Sequence, residues 1–203
     1  MAAGCGSGCR KKPAPAAAGR VISTAEQSIE GSWTGVFGGA LSFPEPGTLR
    51  LASDVELSAA KWTGQPLPRT FKIVLEARRI DGADFFCGLT FPARASGECL
   101  TWIVGGWGGS LVGISSIDGR DASENETTRS MVFEKGRWYR LELSRDGERV
   151  EAWIDGVKVV DLDTTGKTLS LRPGSISSCA PFGLATWQSA GEFKGLRCFV
   201  PCG

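Results

Sequence analysis

Apolar and polar residues alternate along several segments of the chain. In residues 71–78 an apolar side chain occupies every second position. Successive side chains of a strand point to opposite faces, so this alternation predicts a strand with one buried face. The same pattern recurs in residues 138–144 and 149–154. A two-residue Asp-Gly turn then leads into residues 157–161, and together these last three segments predict an antiparallel meander.

Other segments complete an all-β pattern. Residues 84–91 form a nearly continuous apolar run, which suits a strand covered on both faces. Residues 100–104 and 110–114 flank a glycine-rich turn and predict a hairpin, while residues 183–188 and 193–200 predict the closing strands. No segment shows the sustained apolar period of about 3.6 residues that marks a helix. Many strands joined by short turns predict two antiparallel sheets stacked as a jelly-roll sandwich.

Composition narrows the classes of function. The chain is 41% apolar and 22% charged, which is ordinary for a globular domain. Its net charge of +1 gives no electrostatic reason to expect a nucleic-acid partner, and no stretch approaches the roughly 20 apolar residues of a membrane span. Because the chain contains no histidine, Ser-His-Asp catalysis and histidine-ligated zinc are excluded. Any catalysis must use carboxylates, lysine, tyrosine or a bound cofactor.

The N-terminal residues differ from the rest. Residues 1–30 are rich in Ala, Gly and Pro and lack an apolar period, so they predict a flexible tail, with one weak helical turn within 22–30, before a β-sandwich domain at 31–203. The segment Ala-Ala-Gly-Cys that ends at Cys5 resembles the end of a bacterial lipoprotein signal, whose cysteine is lipidated. The basic and apolar regions of such a signal are missing, so lipidation and chance resemblance both stay open. A lipid anchor would place the domain outside the cytoplasm, at a bacterial cell envelope.

The seven cysteines leave several arrangements open. Cys87 and Cys99 flank a predicted hairpin and could bridge it. The cysteines near the two termini form two Cys-x3-Cys pairs, whose spacing differs from that of ordinary zinc sites. Buried free thiols are the other alternative.

Tryptophans supply the first candidate binding residues. The chain has seven, and large indoles are costly to expose, so four or five of them are expected in the core or half-buried. Trp153 is expected in the core, or on the binding surface together with Glu151 if their face of the strand is the concave one. Trp102 and Trp107 lie in or beside the glycine-rich turn, where glycines lift side chains away from the sheet and let a ligand approach. An indole there could stack on the apolar face of a sugar ring or pack across the sheet edge.

An acidic, amide-containing loop follows this hairpin. Its candidate ligand-binding residues are Asp118, Asp121, Glu124, Asn125 and Glu126. Such oxygen-rich loops bind calcium, donate and accept hydrogen bonds with sugar hydroxyls, or are merely solvated. The spacing does not match an EF-hand, so calcium is one alternative and not a required cofactor. A glycosidase needs two carboxylates facing each other across a cleft; Asp84 and Glu98 join the acids of this loop as candidates, and no catalytic pair is assigned.

The order of these motifs resembles the concanavalin A-like lectin/glucanase superfamily, and within it the bacterial 3-keto-disaccharide hydrolase family. The best-matching pattern is residues 136–143 (GRWYRLEL) followed by 150–157 (VEAWIDGV). The resemblance covers roughly residues 31–200 and implies a jelly-roll fold and a carbohydrate partner. Residues 99–128 lack the histidines often found at that family's cleft, so no catalytic residue is carried over.

Three functions are compatible with these observations. The first is a carbohydrate-binding domain of a bacterial envelope or secreted protein. The second is a glycoside hydrolase of the 3-keto-disaccharide hydrolase type that uses a carboxylate pair. The third is a structural or protein-interaction domain of an envelope complex. A groove lined by tryptophan would favour the first two, and a flat face with every tryptophan buried would favour the third.

Overall fold

The computed structural model describes residues 24–29 and 31–201, which form two antiparallel sheets. Sheet A contains, in spatial order, β13 (Val157–Asp163), β12 (Arg149–Ile154), β11 (Tyr139–Asp146), β6 (Phe71–Gly82), β15 (Ser189–Pro201), β4 (Thr48–Leu51) and β3 (Leu41–Glu45), with β1 (Thr24–Ser28) also pairing with β15. Sheet B contains β10 (Arg129–Ser130), β9 (Leu111–Ser115), β8 (Cys99–Gly106), β7 (Cys87–Pro92), β14 (Gly183–Trp187), β5 (Leu57–Trp62) and β2 (Trp33–Phe37). A short 3₁₀ helix spans Ser175–Cys179. No helix among the described residues is long and apolar enough to cross a membrane.

The all-β, two-sheet prediction is confirmed. The predicted meander consists of β11, β12 and β13, which pair antiparallel in this order. The predicted Asp-Gly turn connects β12 to β13. The predicted hairpin is β8 and β9, and the predicted strand at 71–78 is the first part of β6. The strands before residue 62 were not predicted individually, because each spans only four to six residues, too few for a period to stand out.

The core lies between the two sheets. Phe71, Ile73 and Leu75 of β6 are at most 2% exposed, and they face the same layer as Leu141 and Leu143 of the neighbouring β11. Burying each such side chain contributes about 1.5–3 kcal/mol. The period-two alternation of the sequence therefore corresponds to one face buried against the opposite sheet.

The folded domain begins earlier than predicted. Thr24–Ser28 pair in antiparallel register with residues 197–201 of β15, and the side chain of Ile29 is only 2% exposed. The predicted flexible tail is therefore wrong for residues 24–29, and so is the helical turn predicted within 22–30. The edge of β15 offers backbone hydrogen-bond partners to this segment, and sheet pairing outweighs its weak local helix preference.

The cysteines of the β7–β8 hairpin are free thiols. In its register Cys87 lies opposite Val104 and Cys99 lies opposite Pro92, so the alternative of a disulfide between the two is wrong.

Burial raises the pKa of Cys179 to about 12, which keeps this thiol protonated and unreactive at neutral pH. Three of the four cysteines in the terminal Cys-x3-Cys pairs, and with them the predicted lipidation site, lie outside the described residues.

A buried carboxylate organises the outer face of sheet A. The Glu192 side chain is 2% exposed and accepts hydrogen bonds from Arg50 Nε at 2.7 Å and Arg78 Nε at 2.7 Å. Burial alone would raise the pKa of Glu192, but the hydrogen bonds from Arg78 and Arg50 outweigh it and hold the pKa below its ordinary value. Because the pKa is lower in the folded than in the unfolded protein, the ionised carboxylate stabilises the fold.

We expect Glu192→Gln to lower the free energy of unfolding by about 2–3 kcal/mol, since both arginines lose a charged acceptor. In the wild type this contribution is fully present above the ordinary glutamate pKa of 4.5 and is lost as the pH falls through the lower folded pKa. Urea denaturation from pH 7 to pH 3 measures both effects. Glu76→Gln is the matched control, because Glu76 forms a more exposed ion pair with Lys194 at 3.7 Å on the same face. Equal stability of the two variants at pH 7 would contradict this account.

A candidate ligand-binding cleft on the outer face of sheet B

Sheet B has a second apolar cluster on its outer face. Thr101 and Ile103 of β8 face outward, because they alternate with Trp102, which points into the core. The cluster consists of Leu57, Ala59, Phe85, Ile103, Ala122, Cys179 and Ala185. Residues 120–128 and the 3₁₀ helix cover part of this face. What they leave open is a cleft.

The cleft has a volume of about 430 Å³, which lies within the range of small-molecule sites. Its floor is the outer face of sheet B, with Thr101, Ile103 and Ser115. Its polar and aromatic lining includes Glu56, Asp84, Trp107, Arg172, Ser175 and Trp187. An apolar floor with a few polar groups around it is typical of a ligand-binding site.

Three of the seven tryptophans lie in the core. Trp33 and Trp62 are each 8% exposed, and Trp102 is 0% exposed. The prediction that Trp102 contacts a carbohydrate is therefore wrong. Its position on β8 is out of phase with the residues that face the cleft, because successive side chains of a strand alternate between faces.

Two more tryptophans lie on the outer face of sheet A. Trp153 is partly exposed there, so the expectation that it belongs to the core is wrong. Cations lie over both rings: Arg78 and Lys194 over Trp138 at 4.4 and 4.2 Å from the ring centroid, and Lys72 and Lys158 over Trp153 at 5.6 and 5.5 Å. Trp138 and Trp153 thus lie among the cations of sheet A, whereas the two remaining tryptophans, Trp107 and Trp187, line the cleft and are the better candidates for contact with a ligand.

Trp107 projects from the tip of the β8–β9 hairpin. Its side chain is 41% exposed, and its backbone has a φ of 47°. The neighbouring Gly105, Gly108 and Gly109 also have positive φ values, which glycine adopts without steric cost. The glycine-rich turn thus explains how a large indole leaves the sheet and reaches the cleft.

Arg172 connects Trp107 to the acidic loop. Its guanidinium carbon lies 5.7 Å from the centroid of the Trp107 ring, and its Nη1 lies 3.3 Å from Asp121 Oδ2. Asp121 Oδ1 accepts a hydrogen bond from Ser115 Oγ at 2.7 Å. Of the loop residues predicted as ligand contacts, Asp121 is therefore the one tied to the cleft, through two residues that line it.

The other acids of the loop point to different partners. Asp118 Oδ1 accepts a hydrogen bond from the Thr168 backbone at 2.8 Å, and Glu126 Oε1 lies 2.6 Å from Lys167 Nζ. The hydrogen bond from Lys167 lowers the pKa of Glu126. Glu124 is exposed to solvent and does not line the cleft.

The carboxylates of this loop do not converge on one point in the structure. Calcium takes six to eight oxygen ligands, whereas no group of three or more acidic or cysteine side chains converges within the part of the chain that the structure describes. The loop is held together in another way, by the side chain of one residue.

Asn125 is the centre of that loop. Its Nδ2 donates to the backbone carbonyls of Ile114 at 2.8 Å and Asp121 at 2.7 Å, while its Oδ1 accepts from the Thr127 backbone at 3.0 Å. Both ends of the amide are thus used inside the protein. Asn125 shapes the loop and is not placed to bind a ligand directly.

The candidate catalytic carboxylates differ in how strongly the protein engages them. Asp84 lines the cleft, but its Oδ1 accepts from the Phe85 backbone at 2.7 Å and its Oδ2 accepts from the Gly108 backbone at 3.1 Å. Glu98 bonds to Ser96 outside the cleft lining. Glu56 also lines the cleft, and no side-chain hydrogen bond or ion pair engages its carboxylate among the described residues.

Sequence comparison decides the family. The family model described as a 3-keto-alpha-glucoside-1,2-lyase-like domain matches residues 53–198. The chain belongs to this family. The match contains every strand of the meander and every residue that lines the cleft, and it confirms the resemblance inferred from residues 136–157. No curated protein matches the sequence.

Solved structures share the fold of this family member at low sequence identity. The carbohydrate-binding module CBM66 from Bacillus subtilis is 16% identical, with a TM-score of 0.55 over 82% of this chain and 94% of that one. Domain 4 of the extracellular arabinanase AbnA from Geobacillus stearothermophilus, solved with arabinotriose, is 14% identical, with a TM-score of 0.50 over 84% and 82% of the two chains. A Bacillus subtilis protein of unknown function with a galectin-like fold is 11% identical, with a TM-score of 0.55 over 88% and 96%. These likenesses establish the concanavalin A-like architecture and leave the site to be argued from its own residues.

Four of the polar and aromatic residues that line the cleft were not predicted from the sequence: Glu56, Arg172, Ser175 and Trp187. Arg172 and Ser175 lie in a segment without alternation. Trp187 lies at the end of a predicted strand, and its neighbours Leu184 and Thr186 are fully buried. Because successive side chains of a strand alternate between its faces, the indole of Trp187 points away from the face that Leu184 and Thr186 share. The sequence did not show which of the two faces is covered.

Proposed function

We propose that this domain binds carbohydrate in the cleft on the outer face of sheet B. The observation that supports this most strongly is the pair of indoles, Trp107 and Trp187, that line one cleft together with the charged side chains of Glu56 and Arg172. An indole presents a flat apolar surface to the C–H face of a sugar ring, and charged side chains hydrogen-bond to its hydroxyls. The two structural relatives described as a carbohydrate-binding module and as an arabinotriose complex are consistent with such a role.

The cleft favours this function over a purely structural one. A protein-interaction domain without a small ligand predicts a flat face with its tryptophans buried. Trp107 is instead 41% exposed at the edge of a cleft, and its position depends on a hairpin tip with three positive-φ glycines.

We expect Trp107→Ala to weaken binding to α-glucosides and their 3-keto derivatives by about tenfold or more, because a stacking surface at the edge of the cleft is lost. An array of these glycans, followed by calorimetry with the ones that bind, measures the change. Trp107→Phe should lose less, since it keeps a ring. Trp153→Ala is the matched control on sheet A and should bind as the wild type does. Unchanged affinity in both Trp107→Ala and Trp187→Ala, with the fold intact, would contradict the proposal.

A lyase activity in the same cleft is the second candidate. The family description implies elimination across C1–C2 of a 3-keto α-glucoside. A base removes the C2 proton, which the C3 ketone acidifies; the C1–O bond breaks, a C1=C2 double bond forms, and the leaving alcohol takes up a proton. Because the chain has no histidine, a carboxylate is the natural base, and Glu56 is the cleft carboxylate without a side-chain partner in the described residues.

If the domain is such a lyase, it releases nitrophenol from p-nitrophenyl 3-keto-α-glucoside, and Glu56→Gln lowers the rate by about 100-fold or more. Absorbance of released nitrophenol measures the rate. Glu124→Gln, an exposed carboxylate outside the cleft, serves as the control and should keep the wild-type rate. If the wild type binds this substrate but releases no nitrophenol, the proposed carbohydrate binding stands and the lyase activity is contradicted.

We also propose that the domain works outside the cytoplasm, at a bacterial cell envelope or in secreted form. This rests on the sequence around Cys5, which resembles a lipidated cysteine. Mass spectrometry of the protein produced in a bacterial host should find a diacylglyceryl thioether on Cys5. An unmodified N-terminal peptide would count against the anchor.

A further inference from the structure

A buried arginine lies beneath the hairpin that carries Trp107. Arg79, near the end of β6, points into the interior and is only 9% exposed. Burial lowers the pKa of its guanidinium, and the charge of Asp84 opposes that effect. A buried charge is costly unless other groups compensate it, so the contacts of Arg79 show what the charge is used for.

Those contacts lead to the hairpin tip. Arg79 Nη2 donates a hydrogen bond to the Gly109 carbonyl at 2.9 Å, and its guanidinium carbon lies 5.4 Å from the centroid of the Phe86 ring. The tip makes room for it: a Cβ at Gly105 would lie 2.9 Å from Arg79 Nη2, and one at Gly109 would lie 2.9 Å from Nη1. These two glycines therefore leave room for the guanidinium, and a Cβ would also come within 2.9 Å of the Phe86 ring at Gly105 and of the Ala83 carbonyl oxygen at Gly109.

Asp84 also forms a hydrogen bond with the tip of this hairpin. Its Oδ2 accepts a hydrogen bond from the Gly108 backbone at 3.1 Å. The two residues that follow Trp107 are thus each fixed by a charged side chain, Gly108 by Asp84 and Gly109 by Arg79. Arg79 and Asp84 carry opposite charges, and each forms one hydrogen bond with the backbone of the tip. Such charge-assisted hydrogen bonds are stronger than those between neutral groups.

We propose that Arg79 is a positioning residue which, together with Asp84, sets the orientation of Trp107 at the cleft. The inference rests on the proposed carbohydrate-binding function for its purpose, but its structural content can be tested without a ligand. It assigns Asp84 to the same task, because both of its carboxylate oxygens are already used by backbone amides.

The ligand-free test uses the indole signal of Trp107. In protein labelled with ¹⁵N-tryptophan, this signal is identified by its loss in Trp107→Phe. Arg79→Met and Arg79→Lys should shift or broaden it, because methionine lacks the donors and lysine lacks the planar fork that reaches both Gly109 and the Phe86 ring. Arg145→Met is the matched control: Arg145 is 4% exposed and bonds to the Pro92 carbonyl at 3.4 Å, near the opposite end of β6. It should leave the Trp107 signal unchanged even if it lowers stability.

A second variant protects the test against loss of folding. Gly109→Ala keeps Arg79 but places a Cβ 2.9 Å from both its Nη1 and the Ala83 carbonyl oxygen, at a φ of 98°, so it should perturb the Trp107 signal as well. An unchanged Trp107 signal in folded Arg79→Met, or in Gly109→Ala if Arg79→Met does not fold, would overturn the inference.

Binding of p-nitrophenyl 3-keto-α-glucoside then links the orientation to the ligand. Arg79→Met should weaken binding about fivefold to tenfold when Trp107 is present and less than about twofold in a Trp107→Ala background. An equal loss in both backgrounds would overturn the link, because Arg79 would then act by another route. Failure of the wild type to bind this probe would count against the proposed function, whereas the indole signal would still decide the role of Arg79.

Discussion

The apolar layer between the two sheets is the constraint on which the rest of the structure depends. Each strand has two faces, and burying one of them against the opposite sheet decides which side chains point outward. Phe71, Ile73 and Leu75 illustrate this for sheet A, and Trp102 illustrates it for sheet B. Once Trp102 occupies the core, Thr101 and Ile103 must face the other way, and the floor of the cleft is defined.

The two outer faces have opposite chemistry. Sheet A is covered by ion pairs and by cations that lie over Trp138 and Trp153, with the carboxylate of Glu192 buried among its arginines. Sheet B carries a second apolar cluster that is only partly covered. Water solvates a charged face well, whereas an uncovered apolar face gains free energy from contact with a ligand. This asymmetry is the physical reason why we place the proposed ligand site on sheet B.

The cleft joins residues with distinct tasks. In the proposed site Trp107 and Trp187 provide surface, Arg172 brings a charge held by Asp121, and Glu56 provides a carboxylate that no side chain in the described part of the chain engages. Arg79 and Asp84 form hydrogen bonds with the backbone of the hairpin tip, and Asn125 does so within the loop, so these three shape the cleft without lying at its centre. Binding and elimination would therefore use one site, and they differ in whether Glu56 removes a proton from the sugar.

The sequence by itself determined the fold class, the meander and the β8–β9 hairpin, because alternation and turn glycines are local signals of backbone geometry. For Trp107 it left two alternatives, contact with a ligand and packing across the sheet edge. It did not determine that Trp102 and Trp107, five positions apart, lie on opposite sides of sheet B, or that residues 24–28 form a strand. It also did not indicate that Arg172 meets Trp107 or that Arg79 meets Gly109. These outcomes depend on which strand face is buried and on which distant segments come together, and only the packing of the two sheets decides them.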